Sequence, residues 1–185
     1  MFPTIPFAKP PVGDLRFRAP QPLDAGETIN TTNIPYERIC YQLGNYWSII
    51  PDSVVDADED CLYLNVHVPG VWPPQESLPV MIWFTGGAFL IGAGPMYGPD
   101  YWMIHNIILV TVNYRLGPLG FLSLGVAEAA GNQGMLDQRL SMIWVRDNIA
   151  MFGGDPDQVT IAGESAGSFS LGYHMVSPGS RGLFR

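Results

Sequence analysis

The sequence has few charged residues, few basic residues and no long hydrophobic run. Charged residues make up 14% of the 185 residues and hydrophobic residues 47%, so intrinsic disorder is unexpected and one sizeable core is expected. The net charge of −8 argues against nucleic acid as a partner, because that ligand requires a basic face. No apolar stretch reaches the roughly 18 residues of a membrane span.

Further absences narrow the class of protein. The N-terminus has no basic start followed by an apolar segment, so no signal peptide is expected in this chain. Histidine, cysteine and acidic residues form no cluster with metal-ligand spacing, and no glycine-rich phosphate loop is present. We therefore expect no metal, no nucleotide and no other cofactor.

The two cysteines, Cys40 and Cys61, allow two interpretations. They are either two unrelated buried thiols or one disulfide that closes a loop of about twenty residues, worth about 3 kcal/mol. Asn30 opens an Asn-Thr-Thr sequon, a possible N-glycosylation site that slightly favours the secretory route.

The strand patterns indicate an α/β fold. Residues 62–68 alternate apolar and polar side chains, which predicts a strand with His67 on its polar face. Residues 80–84, 107–112 and 159–163 are continuous apolar runs, as in the central strands of a covered parallel sheet. The proline-rich stretch 1–60 predicts extended segments and loops that lie on this sheet.

A helix is predicted from about Gly134 to Met151, between two of these strands. Its apolar residues form two stripes that cover most of its girth, which predicts deep packing; they are Leu136, Leu140 and Ile143, and Val145, Ile149 and Phe152. Strand, helix and strand in this order predict a right-handed crossover.

The segment 163–167 reads Gly-Glu-Ser-Ala-Gly and matches the pattern G-x-S-x-G. A predicted strand precedes it and helix-compatible residues follow, which is the context of a nucleophile on a sharp strand-to-helix turn. Ser165 is therefore the candidate catalytic nucleophile. The alternative is a structural turn.

A nucleophilic serine needs hydrogen-bond donors for the oxyanion. The amide of Ala166 is one candidate, and Gly86-Gly87-Ala88 follows an earlier strand where such a loop is expected. Small residues let the backbone approach a substrate oxygen closely. Alone, the two glycines would more often be a plain turn.

Several further motifs cover essentially the whole chain: Pro10-Pro11-Val12-Gly13-Asp14-Leu15-Arg16-Phe17, Glu59-Asp60-Cys61-Leu62-Tyr63-Leu64-Asn65-Val66, Gly86-Gly87-Ala88-Phe89, Asn113-Tyr114-Arg115, Gly131-Asn132 with Asp137-Gln138-Arg139, Phe152-Gly153-Gly154-Asp155-Pro156 and Gly163-Glu164-Ser165-Ala166-Gly167. Together, and in this order, they resemble the type-B carboxylesterase/cholinesterase family. The resemblance implies an α/β-hydrolase fold and a serine esterase.

The resemblance also implies roles for individual residues. Ser165 would be acylated, Gly87, Ala88 and Ala166 would form the oxyanion hole, and Gly86 would shape the loop. Cys40 and Cys61 would form a disulfide. Arg16 would form an ion pair with Glu59, and Arg115 would form one with Asp137. Glu164 is expected beside the pocket rather than as the triad acid. Trp47, Phe89 and Tyr97 either line a gorge or belong to the core.

The sequence departs from the family in two respects. Thr85 stands where the family usually has histidine or tyrosine, which removes no backbone amide. None of the three histidines suits the role of base: His174 lies nine residues beyond Ser165, about 13 Å along the same helix. His67 lies on a strand, and His105 is expected near a helix end.

We therefore expect residues 1–185 to form a partial carboxylesterase domain, truncated at both ends, that lacks the triad acid and histidine and is inactive alone. The expected activity of the whole protein is hydrolysis of a small-molecule carboxylic ester through an acyl-serine. Because the family includes adhesion proteins, a non-catalytic binding module is the alternative. A secreted or secretory location is expected for the full-length protein.

Overall fold

The computed structural model describes residues 1–24, 26, 34–36, 38–42 and 56–185. Asn30 and Trp47 lie outside the described residues. The strands are β1 (Phe2–Pro6), β2 (Arg38–Cys40), β3 (Asp56–Asp58), β4 (Tyr63–His67), β5 (Leu78–Phe84), β6 (Ile108–Val112), β7 (Ser123–Val126), β8 (Ala129–Ala130) and β9 (Gly154–Gly163). The α-helices are α1 (Asp100–Met103), α2 (Gly117–Phe121), α3 (Gln133–Asn148) and α4 (Ala166–Val176).

Five of these strands form one mixed sheet in the order β1-β4-β6-β5-β9. Strands β6, β5 and β9 run parallel, and β4 and β1 add antiparallel at one side. The three parallel strands are the three apolar runs of the sequence, as predicted. The two prolines of β1 lie in an edge strand, where a missing amide donor removes no ladder bond between two central strands.

The core lies between one face of this sheet and α3. Buried aliphatic residues of β4, β5, β6 and β9 face Met142 and Val145 of α3 and Ile149 in the 3₁₀ turn (Ile149–Phe152) that follows. Apolar burial of this kind contributes roughly 25 cal/mol per Å², so this layer is the main stabilising contact of the described fold.

Helix α3 is buried through only part of the predicted apolar surface: Val145 and, just beyond the helix, Ile149 are buried as predicted. Leu136, Leu140 and Ile143 are only half-buried, whereas the buried residues include the polar Gln133, Asp137, Gln138 and Ser141. A polar side chain tolerates burial when it is hydrogen-bonded. Gln133, Asp137 and Gln138 bond to groups in other segments, and the Ser141 hydroxyl donates to the Gln138 carbonyl within the helix. An apolar pattern cannot reveal these contacts.

The prediction that His67 lies on a polar strand face is also corrected. All five residues of β4 are buried, including Tyr63, Asn65 and His67. The 3₁₀ turn at Gly94–Met96 contacts β4 and β6 on this second side, and α1 packs on β6. Asn65 is accommodated there because its amide donates to Thr111 Oγ1 at 3.2 Å.

Candidate active site

Ser165 lies at a sharp turn between β9 and α4. Its backbone dihedrals are φ 51° and ψ −119°, in a region that non-glycine residues rarely adopt. Such a conformation costs about 1–3 kcal/mol and persists only where the surrounding structure holds it. The serine is exposed at the end of the sheet, whereas the next residue, Ala166, is buried.

The glycines on either side of Ser165 are needed because β5 passes very close. A Cβ on Gly163 would lie 2.7 Å from the Phe84 carbonyl oxygen and 2.7 Å from the Gly167 carbonyl carbon. A Cβ on Gly167 would overlap the same Phe84 oxygen. Only glycine at both positions lets the turn sit directly on the end of β5, and this explains the spacing of the motif.

The loop that follows β5 lies against this turn. We call residues 85–93 the donor loop. A Cβ on Gly86 would overlap the Glu164 carboxylate and would lie 3.1 Å from Ser165 Cβ, so the two motifs are in direct contact. Gly87 and Ala88 both have positive φ, at 95° and 56°, which turns the backbone sharply beside the serine.

The donor loop is closed by its own backbone. The Gly87 carbonyl accepts hydrogen bonds from the amides of Leu90 at 2.9 Å and Ile91 at 3.1 Å. The Phe89 carbonyl accepts from the Gly117 amide at 2.7 Å. The amides of Gly87 and Ala88 are donors in none of these bonds, as an oxyanion site requires.

Three side chains from elsewhere hold the donor loop or Gly94, the residue that follows it, and the sequence indicated none of them for this task. The Tyr114 hydroxyl donates to the Thr85 carbonyl at 2.7 Å. Asn113 Oδ1 accepts from the Gly94 amide at 3.0 Å, and Gln42 bonds to Gly92. Asn113 and Tyr114 belong to a motif of the family resemblance, but Gln42 carries no signal beyond its place two residues after Cys40.

Alongside burial, the charge of Glu164 contributes to the raised pKa of Tyr114. Burial raises the pKa of Tyr114, and the charges of Tyr97 and Glu164 act in the same direction, so its hydroxyl stays protonated and donates. Glu164 lies next to Ser165 with its carboxylate against Gly86. This placement is compatible with the expected position beside the pocket.

His174 belongs to a buried hydrogen-bond chain. Its Nδ1 is 3.0 Å from Ser180 Oγ and its Nε2 is 2.9 Å from Gln138 Oε1. Since an amide oxygen only accepts, Nε2 carries the proton and Nδ1 accepts from the Ser180 hydroxyl. The chain continues from the Gln138 amide to Ser170 Oγ at 3.1 Å, and from the Ser170 hydroxyl to the Ala166 carbonyl at 2.9 Å.

The other two histidines lie on separate elements. His67 is buried in β4, where burial lowers its pKa to about 4. His105 is exposed, two residues beyond α1, with its ring 5.0 Å from that of Tyr101. Both nitrogens of His174 contact other side chains.

The aromatic residues expected in a gorge or in the core have aromatic neighbours. The ring centroid of Tyr97 is 5.0 Å from that of Trp83, and the ring centroid of Phe89 is 5.1 Å from that of Phe121. Phe89 and Phe121 also line a cavity of about 580 Å³ that extends to Tyr173 and His174 of α4.

The disulfide and both ion pairs are present. The Cys40 and Cys61 sulfurs are 2.06 Å apart. The Arg115 guanidinium meets the Asp137 carboxylate through two bonds of 2.7 and 2.8 Å, both side chains being buried. The pair Arg16–Glu59 is partly exposed. The buried pair Arg115–Asp137 therefore fixes the chain just after Tyr114. The partly exposed pair Arg16–Glu59 contributes little to the stability of the fold.

The described residues contain no group of three or more His, Cys, Asp or Glu that could hold a metal ion. Within the same part of the chain, no helix is long and apolar enough to cross a membrane.

The mostly parallel sheet, the strained serine turn after β9 and the loop after β5 define an α/β-hydrolase fold. The sequence profile described as "Carboxylesterase family" matches residues 1–185, and the chain belongs to this family. It is 46% identical to para-nitrobenzyl esterase of Bacillus subtilis (strain 168) over 98% of this chain and 37% of that protein. It is 48% identical to juvenile hormone esterase of Tribolium castaneum over 100% of this chain and 31% of that protein.

Solved structures agree with the sequence comparison. A thermophilic PNB esterase superposes with a TM-score of 0.87 at 42% identity, covering 99% of this chain and 38% of that one. A second PNB esterase structure gives a TM-score of 0.88 at 42% identity, covering 100% of this chain and 38% of that one. The chain spans about a third of the length of the curated relatives it matches. These findings confirm the family and the fold class expected from the motifs.

Proposed function

We propose that this chain carries the nucleophile and the oxyanion hole of a carboxylic ester hydrolase. The observation that supports this most strongly is the contact between the strained Ser165 turn and Gly86 of the donor loop. In the proposed site, the Ser165 hydroxyl faces the amides of Gly87, Ala88 and Ala166. Membership of the carboxylesterase family supports the same reaction.

In the proposed reaction, Ser165 Oγ attacks the carbonyl carbon of the ester while a base takes its proton. The amides of Gly87, Ala88 and Ala166 stabilise the oxyanion, and each such donor is worth about 10²–10³ in rate. Collapse of the intermediate breaks the bond to the alcohol, which leaves with a proton. Water then attacks the acyl-serine, releases the carboxylic acid and restores the serine.

We further propose that the base comes from polypeptide outside these 185 residues. His174 has both ring nitrogens in hydrogen bonds, His67 is buried within β4, and His105 lies beyond α1. Without a base the nucleophile loses most of its reactivity, since the members of a triad act as a unit. The chain alone should therefore hydrolyse esters very slowly.

The proposed substrate class is a small-molecule carboxylic ester. We also propose a secretory or extracellular location, because the Cys40–Cys61 disulfide requires an oxidising compartment to form and persist.

The test is a chimaera in which residues 1–185 replace the aligned segment of Bacillus subtilis para-nitrobenzyl esterase. We expect a para-nitrobenzyl ester to be hydrolysed and a fluorophosphonate to label Ser165, with both lost in Ser165→Ala. The matched control is Ser168→Ala, three residues further along on an exposed position of α4, which should keep both signals.

The isolated chain should label far more weakly than the chimaera. A chimaera with a cooperative unfolding transition but without labelling would contradict the catalytic proposal and favour a non-catalytic binding module. Strong labelling of the isolated chain would contradict the proposal that the base lies outside it.

A further inference from the structure

Gln42 makes a two-way contact with the backbone of the donor loop. The Gly92 amide donates to Gln42 Oε1 at 2.8 Å, and Gln42 Nε2 donates back to the Gly92 carbonyl at 3.0 Å. The two residues are fifty positions apart in sequence. The carboxamide thus pairs with one peptide of the loop much as a neighbouring strand would.

Gly92 is the point where the donor loop returns to its own beginning. Its φ is +120°, and a Cβ there would lie 2.7 Å from the Gly86 carbonyl oxygen and 2.8 Å from Thr85 Oγ1. Gly86 in turn lies against Glu164 and Ser165. A shift of the Gly92 peptide would therefore be transmitted to the residues that lead into Gly87 and Ala88.

Gln42 is itself attached to a fixed part of the molecule. Strand β2 pairs with β3, and its last residue, Cys40, forms the disulfide with Cys61. The Tyr41 amide donates to the Asp58 carbonyl at 3.0 Å, and Gln42 Nε2 also donates to the Cys40 carbonyl at 3.0 Å. The side chain that holds Gly92 therefore starts from a cross-linked strand rather than from a free loop end.

We propose that Gln42 is a positioning residue for the oxyanion hole: it links the disulfide-anchored strand β2 to Gly92 and so fixes the direction of the Gly87 and Ala88 amides. This role rests on the proposed esterase function. Oxyanion stabilisation depends on donors that are already oriented before the reaction, so a loosened loop should lower the rate of the chemical step.

The first experiment follows amide hydrogen exchange in the 185-residue chain. Gln42→Leu removes both bonds to Gly92, so the protection of the Gly92 amide should fall about tenfold. Gln75→Leu, the same substitution at an exposed position, should leave it unchanged. The loss should be confined to the donor loop, and amides of α3 should keep their protection. No change at Gly92, or an equal loss in α3, would overturn the proposal.

A second variant tests the chemistry of the contact. In Gln42→Glu an ionised carboxylate can accept from the Gly92 amide but cannot donate to the Gly92 or Cys40 carbonyls. A protonated carboxyl group has one acceptor and one donor and replaces both bonds to Gly92. We expect the protection of Gly92, relative to the native chain at the same pH, to recover between pH 7 and pH 4. Protection that is independent of pH would contradict a direct bond.

Kinetics of the chimaera distinguish positioning from general stability. Gln42→Leu should lower kcat about tenfold with KM changed less than about twofold, because the lost interaction acts only on the transition state. Gln75→Leu should leave both constants unchanged. A native chimaera without Ser165-dependent hydrolysis would contradict the proposed function, and the exchange experiment would still judge the Gln42 contact. An active chimaera whose kcat does not respond to Gln42→Leu would contradict the positioning role alone.

Discussion

The Ser165 turn and the donor loop lie in contact but are held in different ways. The turn is held by close backbone approach, with Gly163 and Gly167 packed on the Phe84 carbonyl. The donor loop is held by side-chain hydrogen bonds from Gln42 and Tyr114, and Asn113 bonds to Gly94 directly after the loop. Steric contact of the first kind leaves a local glycine spacing, whereas contacts of the second kind come from distant positions, and for Gln42 they leave no motif.

This comparison predicts that the turn tolerates substitution less than the loop does. Gly167→Ala should have the largest effect, because its Cβ would overlap a backbone oxygen that cannot move without displacing β5. We expect the free energy of unfolding to fall by more than about 3 kcal/mol, measured by urea denaturation.

The matched control for that substitution is Gly172→Ala in the same helix. A Cβ at Gly172 meets nothing within 4 Å, so alanine should stabilise the helix by about 0.5–1 kcal/mol. If Gly167→Ala and Gly172→Ala had similar effects, steric contact would not be what holds the turn.

The second-largest effect depends on pH and distinguishes α4, which follows the Ser165 turn, from the donor loop. Burial lowers the pKa of His174 to about 4, so the folded chain favours the neutral ring while the unfolded chain binds the proton at its ordinary pKa near 6.5. The stabilisation from His174 is complete above about pH 6.5 and is lost as the pH falls towards 4. At pH 5 the loss is about 2 kcal/mol.

His174→Gln should therefore reduce the difference in unfolding free energy between pH 7 and pH 5 by about 2 kcal/mol. His67 shifts in the same direction and will leave a remainder. Because His174 lies in α4, amide exchange at pH 5 should increase in α4 before it increases in the donor loop. The same pH dependence in His174→Gln as in the native chain would contradict this assignment.

The smallest effect is expected when one hydrogen bond to the donor loop is removed. Tyr114→Phe removes the donor to the Thr85 carbonyl and should cost about 1–2 kcal/mol in unfolding free energy. Tyr101→Phe is the control, because Tyr101 is 65% exposed and should cost close to nothing. A cost for Tyr114→Phe above that of Gly167→Ala would reverse the comparison.

Sequence patterns predicted the parts of this fold that rest on local repetition. The three central strands, the helix between them and the Ser165 turn follow from apolar runs and glycine spacing. The patterns failed for His67 and for the polar residues buried along α3, because burial there depends on partners far away in sequence. Asp137 is buried against Arg115, and Gln138 against His174 and Ser170. No periodicity in α3 indicates those contacts.

In the candidate site, too, some features could be predicted from the sequence and others could not. Ser165, Gly86, Gly87, Ala88 and Ala166 follow from motifs, and the Cys40–Cys61 disulfide from the family resemblance. The role of Gln42 could not be predicted, because one glutamine after a cysteine has no pattern that distinguishes it. Only the three-dimensional structure shows its two bonds to Gly92.

The hydrogen bond from Tyr114 to Thr85 has a consequence for how sequences with this fold can diverge. Tyr114 bonds to the peptide carbonyl of this residue and not to its side chain, and every amino acid supplies that carbonyl. Mutations at position 85 can therefore accumulate without loss of the bond, whereas mutations of Tyr114 cannot. The bond to Tyr114 therefore places no demand on the side chain at position 85, whose own hydroxyl lies 3.4 Å from the Tyr97 hydroxyl.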